Sequence, residues 1–263
     1  MIRTLDDTHL TNIANAIRAK NGTANTYKPS EMANAIANIT TGGTDDTEYI
    51  KLIERKSGYT LNIPEGATQI GTNCFYYDKN IKSIISPESV KTIGEGAFYG
   101  CTALTSANLK GVTDIGKNSF RDCTKLTSLT IDSCTDVSGM YAFNGCTQLT
   151  KVSAPNMKYM NNYAFKGCTA LTDVDLPNIE ELGSNIFEGC TSLRVIYIPK
   201  SCTRIWSSGT SASLFKGCSS ELQILCAATY QPDTWGEYWN YDASTGGTFS
   251  TTWGVITGDD LLG

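Results

Sequence analysis

Ten cysteines and a single histidine are the residues of this 263-residue chain with the most obvious chemical reach. Thiolates ligate zinc or act as nucleophiles, and an imidazole can ligate or serve as a general base. The spacing fits neither use. There is no C-x2-C pair, and His9 lies far in sequence from every cysteine. A zinc knuckle and a Cys-His nucleophile therefore both lack a partner. No H-E-x-x-H, Walker-type phosphate loop or calcium loop is present. Asp173 and Asp175 flank Val174, which on a strand sets both carboxylates on one face. That arrangement suits a carboxylate pair, and equally an ordinary solvated face. The stretch IGEGAFYGCTALTS (93–106) places Gly94, Gly96 and Gly100 beside Cys101 and a run of hydroxyls. Those are the ingredients of a phosphate cradle next to a thiol.

A repeat explains the glycines and the cysteines together. Aligned on phenylalanine, the anchors are Phe75, Phe98, Phe120, Phe143, Phe165, Phe187 and Phe215, at spacings of 23, 22, 23, 22, 22 and 28 residues. Three residues after six of them stands a cysteine: Cys101, Cys123, Cys146, Cys168, Cys190 and Cys218. Three further on comes Leu104, Leu126, Leu149, Leu171 or Leu193, opening an L-x-x-L-x-L stretch such as LTSANL (104–109) or LTDVDL (171–176). An apolar residue (Ile70, Ile93, Ile115, Met160, Leu182) precedes the next phenylalanine by five, and SSGTSAS before Phe215 is a local insertion. A phosphate loop occurs once, whereas Gly100 recurs as Gly145, Gly167, Gly189 and Gly217, and Gly94 as Gly71, Gly116 and Gly183. A glycine that returns in every unit marks a backbone turn.

A period of 22–23 residues is one coil of a solenoid, whose apolar face is covered only by its neighbours. The expected fold is an α/β-type repeat solenoid with one short parallel strand per coil, near 59, 81, 104, 126, 149, 171, 193 and 222. The phenylalanine and leucine pack from the opposite wall. The cysteines form a ladder of buried free thiols filling small apolar space. Adjacent rungs lie within reach of one another, but parallel Cβ vectors disfavour disulfides. Cys74, Cys134, Cys202 and Cys226 fall off the ladder, with Cys74 and Cys226 at core positions.

The pattern I-G-x-x-A-F-x-x-C-x-x-L-x-x-L-x-L-P occurs as IGEGAFYGCTALTSANL and MNNYAFKGCTALTDVDLP, and it resembles the BspA-like leucine-rich repeats over residues 59–227. The resemblance implies a non-enzymatic interaction scaffold and names no ligand. The stretch IANAIRAKNGTANTYKPSEMANAIANI resembles an N-terminal segment of phage and prophage minor structural proteins through I-R-x-K-x-G-x-x-x-x-Y-x-P-x-E-M. Two readings follow. One is a tail-associated virion protein that contacts a host surface. The other is a bacterial cell-surface or secreted adhesion protein.

Around the array, residues 1–40 read as a helical hairpin, with Leu10, Ile13 and Ile17 on one face and Met32, Ile36 and Ile39 on another. It would serve as an attachment module or a cap. Residues 41–58 read as a linker and β-hairpin, and 228–263 as a C-terminal cap. All four tryptophans follow residue 205 and can either seal the solenoid or stack on sugars. The net charge of −5 gives no general pull toward nucleic acid. No apolar run is long enough to span a membrane, and the N-terminus lacks the apolar region of a signal peptide. No cofactor, metal or catalytic residue is expected.

What remains is surface. Outward strand positions should align in rows: Lys82, Thr105, Thr127, Thr150, Thr172, Arg194; then Ser83, Ser106, Ser128, Lys151, Asp173, Val195; then Ile85, Asn108, Thr130, Ser153, Asp175, Tyr197. Lys151, Asp173, Asp175, Arg194 and Tyr197 concentrate charge and aromatic character toward the C-terminal end. They are the expected ligand-binding residues for a protein or glycan on a cell surface, since interfaces favour Tyr and Arg anchors.

Overall fold

The computed structural model describes residues 58–207, 209, 213–242 and 246–255. The helical hairpin expected over 1–40 lies outside them, as does the linker and hairpin over 41–58 except for Gly58.

Coils stack in parallel, and each contributes two short strands instead of the one expected. The front strands stack in three parallel groups: Tyr59–Asn62, Ile81–Ile85, Ser106–Asn108 and Ser128–Thr130; then Lys151–Ser153 and Asp173–Asp175; then Val195–Ile198, Gln223–Cys226 and Ser250–Trp253. Eight of these match the expected positions, and the ninth comes from the C-terminal cap, where Ser250–Trp253 pairs parallel to Gln223–Cys226. The back ladder is a seven-stranded parallel sheet of two-residue strands, Gln69–Ile70, Thr92–Ile93, Asp114–Ile115, Asp136–Val137, Tyr159–Met160, Glu181–Leu182 and Arg204–Ile205. Alternation along the front strands turns Leu61, Ile84, Ala107, Val152, Ile196 and Ile224 into the core. The back strands turn in Ile70, Ile93, Ile115, Val137, Met160, Leu182 and Ile205.

An α/β-type solenoid was expected, and the wall joining the two ladders is where a helical half would lie. Among the described residues there is no helix; each phenylalanine sits at the centre of a run of turns. The backbone explains this. Positive φ recurs two residues before the phenylalanine (Asn73, Gly96, Asn118, Tyr141, Tyr163, Asn185) and two after it (Tyr77, Gly100, Asp122, Gly145, Gly167, Gly189, Gly217). Only three residues separate the two left-handed positions, too few for a helix to propagate. The glycines divide into two kinds. Gly100 and its equivalents hold the left-handed turn. Gly94 and Gly116 do not turn there; a Cβ on either would lie 2.6–2.7 Å from backbone atoms of the preceding coil. Their role is close approach between coils.

Inside this wall the rings of Phe75, Phe98, Phe120, Phe143, Phe165, Phe187 and Phe215 form one column, with centroids 5.1–6.2 Å apart and planes within 17° of parallel. Phe98 through Phe215 are fully buried. All ten cysteines are buried free thiols, as expected for the ladder. Each ladder thiol donates to the phenylalanine carbonyl of the preceding coil: Cys101 to Phe75 at 3.1 Å, Cys123 to Phe98 at 3.1 Å, Cys146 to Phe120 at 3.3 Å, through to Cys218 and Phe187 at 3.0 Å. The same carbonyls accept a backbone N–H three residues on, as Phe98 O does from Cys101 N at 3.2 Å. A buried carbonyl has two lone pairs to satisfy. Cysteine meets the second while adding little volume or polarity.

Cys134 and Cys202 lie off that ladder but not outside the core. They occupy a column with Ala67, Val90, Val112, Met157 and Ile179, two residues before each back strand, and all are buried. The C-terminal segment closes the array. Trp239 and Phe249 meet Phe215 edge-on at 6.4 and 6.2 Å and end the ring column. Trp235 donates its indole N–H to Cys202 O at 3.2 Å and pairs with Ile205 as a further rung.

Candidate functional site

The front face carries the residues expected to bind. Its registers are Ser83↔Ser106↔Ser128 and Lys151↔Asp173, with Ile85↔Asn108↔Thr130 and Ser153↔Asp175 beside them. The pleat thus places Lys151, Asp173 and Asp175 side by side on neighbouring coils. Lys151 Nζ lies 2.8 Å from Asp173 Oδ2, with both side chains more than half exposed. The Asp173 carboxylate raises the Lys151 pKa above its ordinary value, first by hydrogen bonding and then by charge. Asp175 Oδ2 accepts from Ser153 Oγ at 3.1 Å. Arg194 Nε stands 3.2 Å from Glu221 Oε2, and its guanidinium also donates to Thr191 O at 2.8 Å. Tyr197 lies on the next-but-one coil from Ser153 and is half-buried. All five are accessible or partly so. The four charged ones are already engaged with neighbouring residues.

The pairing is general. Lys117–Glu95, Lys158–Glu180, Lys166–Glu188 and Arg204–Glu181 also join successive coils, at 2.9–3.5 Å. Exposed pairs of this kind contribute only about 0–1 kcal/mol each, but they fix which coil faces which. The threonine row is structural too. Thr105 Oγ1 donates to Lys82 O at 2.9 Å, Thr127 Oγ1 to Thr105 O at 3.1 Å, and Thr172 Oγ1 to Thr150 O at 3.2 Å.

Two further surfaces were not singled out from the sequence. One is an aromatic–cationic ridge over the phenylalanine turns. Tyr76 stacks on Tyr99 at 5.0 Å, the Arg121 guanidinium lies 5.5 Å from the Tyr99 ring and 5.4 Å from Tyr141, Tyr141 stacks on Tyr163 at 4.6 Å, and the Lys166 ammonium follows at 5.3 Å. Reading the positions one after and two before each phenylalanine as columns brings this ridge out. The other surface is beside the back ladder. Trp206 is 50% exposed, while Trp235 and Trp239 are buried in the cap. It borders a depression of about 270 Å³ lined by Tyr159, Asn161, Asn162, Ser184, Trp206 and Ser207. Burial is the main cause that raises the Tyr159 phenol pKa, with the Glu181 and Asp136 charges adding to it. Among the described residues no three His, Cys, Asp or Glu side chains come together as a metal ion would require. No helix among the described residues is long and apolar enough to cross a membrane.

Parallel coils of 22–23 residues built on recurring Phe, Cys and Leu define a leucine-rich-repeat solenoid. A family model described as the BspA type leucine rich repeat region matches residues 55–139 and 108–223, in six copies, and the chain belongs to that family. It is similar to a leucine rich cell surface protein from Faecalibacterium prausnitzii, with 27% identity and a TM-score of 0.56 over 68% of this chain and 51% of that one. It is also similar to a leucine-rich repeat protein from Eubacterium ventriosum, with 31% identity and a TM-score of 0.54 over 62% of this chain and 44% of that one. A leucine-rich repeat protein from Bacteroides ovatus shares 26% identity and a TM-score of 0.51 over 63% of this chain and 47% of its own. This chain thus spans about half the length of these three structures. No curated protein matches it.

Proposed function

We propose that this chain is a non-enzymatic binding scaffold of the bacterial cell-surface or adhesion type, acting outside the cell on a protein or glycan partner. One observation carries the reading. The inward positions of the coils are committed to packing, while the outward positions of the stacked front strands stand in register within three successive parallel groups. A fold with one such row per coil presents an extended surface more readily than an enclosed reaction site. Membership in the BspA-type family and the likeness to a leucine rich cell surface protein support it. We place macromolecular contact on the C-terminal half of the front face, around Lys151, Asp173, Asp175, Arg194 and Tyr197. Arg194→Ala combined with Tyr197→Ala is expected to weaken binding of the labelled chain to whole cells at least tenfold, about 1.4 kcal/mol. The thermal midpoint should stay within the range of a surface substitution. Unchanged cell binding would remove the front face from the reading.

A second reading is a tail-associated protein of a phage or prophage. It is favoured by the motif in IRAKNGTANTYKPSEM (17–32), with residues 1–40 as the segment that joins the particle. Deleting residues 1–40 is then expected to abolish co-sedimentation with phage particles while the repeats keep their far-ultraviolet spectrum. A truncated chain that still co-sediments would sink that reading.

A further inference from the structure

We propose that the depression beside Trp206 binds a neutral saccharide. The proposal goes beyond the scaffold reading and rests on it only in taking the outer surface as the working part.

The chain's tryptophans divide by position. Trp235 and Trp239 close the core, and Trp253 packs against it. Trp206 follows a back strand and is left half exposed. A single exposed aromatic is ordinary, but an indole that borders a polar concavity offers a ligand a flat apolar face beside hydrogen-bonding groups. The Arg204 guanidinium lies 5.2 Å from the ring centroid and holds the ring from one side.

The lining chemistry narrows the ligand. All six lining residues are uncharged: two aromatics, two asparagines and two serines. The nearest guanidinium, on Arg204, is engaged with Glu181 Oε1 at 3.5 Å. The charges that border the lining already have partners: Arg204 and Glu181 have each other, and Asp136 Oδ2 accepts from Thr135 Oγ1 at 2.7 Å, which favours a neutral ligand over a charged one. A pyranose has what this lining matches: an apolar face of C–H groups for an indole, and hydroxyls at its rim that both donate and accept.

The polar groups separate into those that build the rim and those left over. Asn161 Nδ2 donates to Ser138 O at 2.6 Å, Asn162 Oδ1 accepts from Ser184 N at 2.7 Å, and Ser184 Oγ donates to Trp206 O at 2.8 Å. These bonds tie neighbouring coils together and fix the rim before any ligand arrives, which lowers the cost of binding. The Asn162 amide NH₂ and the Tyr159 hydroxyl have no partner among the described residues. The Ser207 hydroxyl oxygen is buried with none. The Asn162 amide and the Tyr159 hydroxyl are therefore the groups left to meet a sugar's hydroxyls. The volume, about 270 Å³, is just below the ~300–1,000 Å³ of typical small-molecule sites. It suits the end of an oligosaccharide, with the remaining rings lying outside.

The test applies the labelled full chain to an array of neutral oligosaccharides, followed by titration with the strongest binder on the array and by whole-cell binding. Binding to one or more neutral oligosaccharides is expected. Trp206→Ala should reduce it at least tenfold with the thermal midpoint unchanged, and saturating sugar should shield the exposed indole from iodide quenching. If Trp206→Ala does not fold, Tyr159→Phe, which removes only a hydroxyl, should still lower affinity several-fold. The proposal is overturned by the absence of any neutral binder, by binding confined to acidic sugars, or by binding that neither variant alters. Cell binding that persists in those cases leaves the scaffold reading standing. Oligosaccharide binding without any cell binding supports the groove and overturns the scaffold reading.

Discussion

Raising the pH from about 7.5 to about 9.5 is expected to remove most of the stability of the solenoid. Burial is the largest cause that keeps eight of its thiols protonated beyond their ordinary range. Cys134, Cys168, Cys202 and Cys226 are pushed up to about 12, and Cys101, Cys123, Cys146 and Cys190 are raised as well. In the unfolded chain a cysteine releases its proton near pH ~8.5. Below that value both states hold the proton, and the stability is fully present. As the pH climbs from there toward the folded values, only the unfolded chain gains by deprotonating, so stability falls. One unit above the unfolded pKa the loss is about 1.4 kcal/mol per thiol, and on the order of 10 kcal/mol for the eight together. That is comparable to the whole stability of an ordinary domain, about 5–15 kcal/mol. Denaturant midpoints across this window, at constant ionic strength and under a reductant, check it. Cys146→Ala should flatten the dependence by one thiol's share. A midpoint that does not move by pH ~9.5 would mean that the folded chain does not shield its thiols.

The coil was legible because its core columns repeat in kind. Phe, Cys and Leu return at fixed offsets, and a strand's period of two then sets the outward rows. Lys151 opposite Asp173 and Ser153 opposite Asp175 follow from that arithmetic alone. Columns whose chemistry varies were harder to see. Cys134 and Cys202 share a column with valine, methionine and isoleucine, which agree only in being apolar. The back strands are two residues long, too short for alternation to show, and only their inward residue recurs. The left-handed positions were half visible. Gly100 and its equivalents mark one of them, but Tyr77, Tyr141 and Tyr163 hold positive φ without the residue type that signals it. Those tyrosines take up a conformation that costs an L-residue roughly 1–2 kcal/mol, and the inter-coil hydrogen bonds on either side hold them in it. Exposure was the least legible property. Nothing in composition separates Trp206 from Trp239; the difference lies in which of them meets the open end of the ring column.

The surface charges show the same division between structure and function. Lys151 and Asp173 stood out as a possible ligand contact because earlier coils carry serine and threonine there. Their 2.8 Å pairing gives them a second role, in coil-to-coil register. A ligand that uses either one must compete with the other. The Trp206 depression carries no such conflict, since its lining is uncharged and its rim bonds leave the Asn162 amide NH₂ and the Tyr159 phenol over.

Phe143→Ala is expected to destabilise the chain by roughly 3–5 kcal/mol. The ring is fully buried and lies between Phe120 at 5.3 Å and Phe165 at 5.1 Å, stacked on both. Its removal opens a cavity mid-column that neither neighbour can fill, because the backbone of each coil is pinned to the next. Phe143 N donates to Ala164 O at 2.8 Å, and Cys168 Sγ donates to Phe143 O at 3.3 Å. Each coil contacts only its neighbours, so the damage is transmitted through the two interfaces of that coil and not across the whole core. The array should then split its cooperativity. The denaturant transition is expected to broaden or resolve into two, with an apparent slope lower than that of the unaltered chain. Amide exchange should quicken most in the coils of Phe120 and Phe165. Phe75→Ala makes the contrast. Phe75 stacks on Phe98 alone in the ring column, so its loss should fray the first coil and leave a single main transition near the original midpoint. A loss below about 1 kcal/mol for Phe143→Ala, far short of the usual cost of a buried phenylalanine, would show that the ring column does not hold the coils together. Identical profiles for the two variants would show that the array unfolds as one unit, whichever coil is weakened.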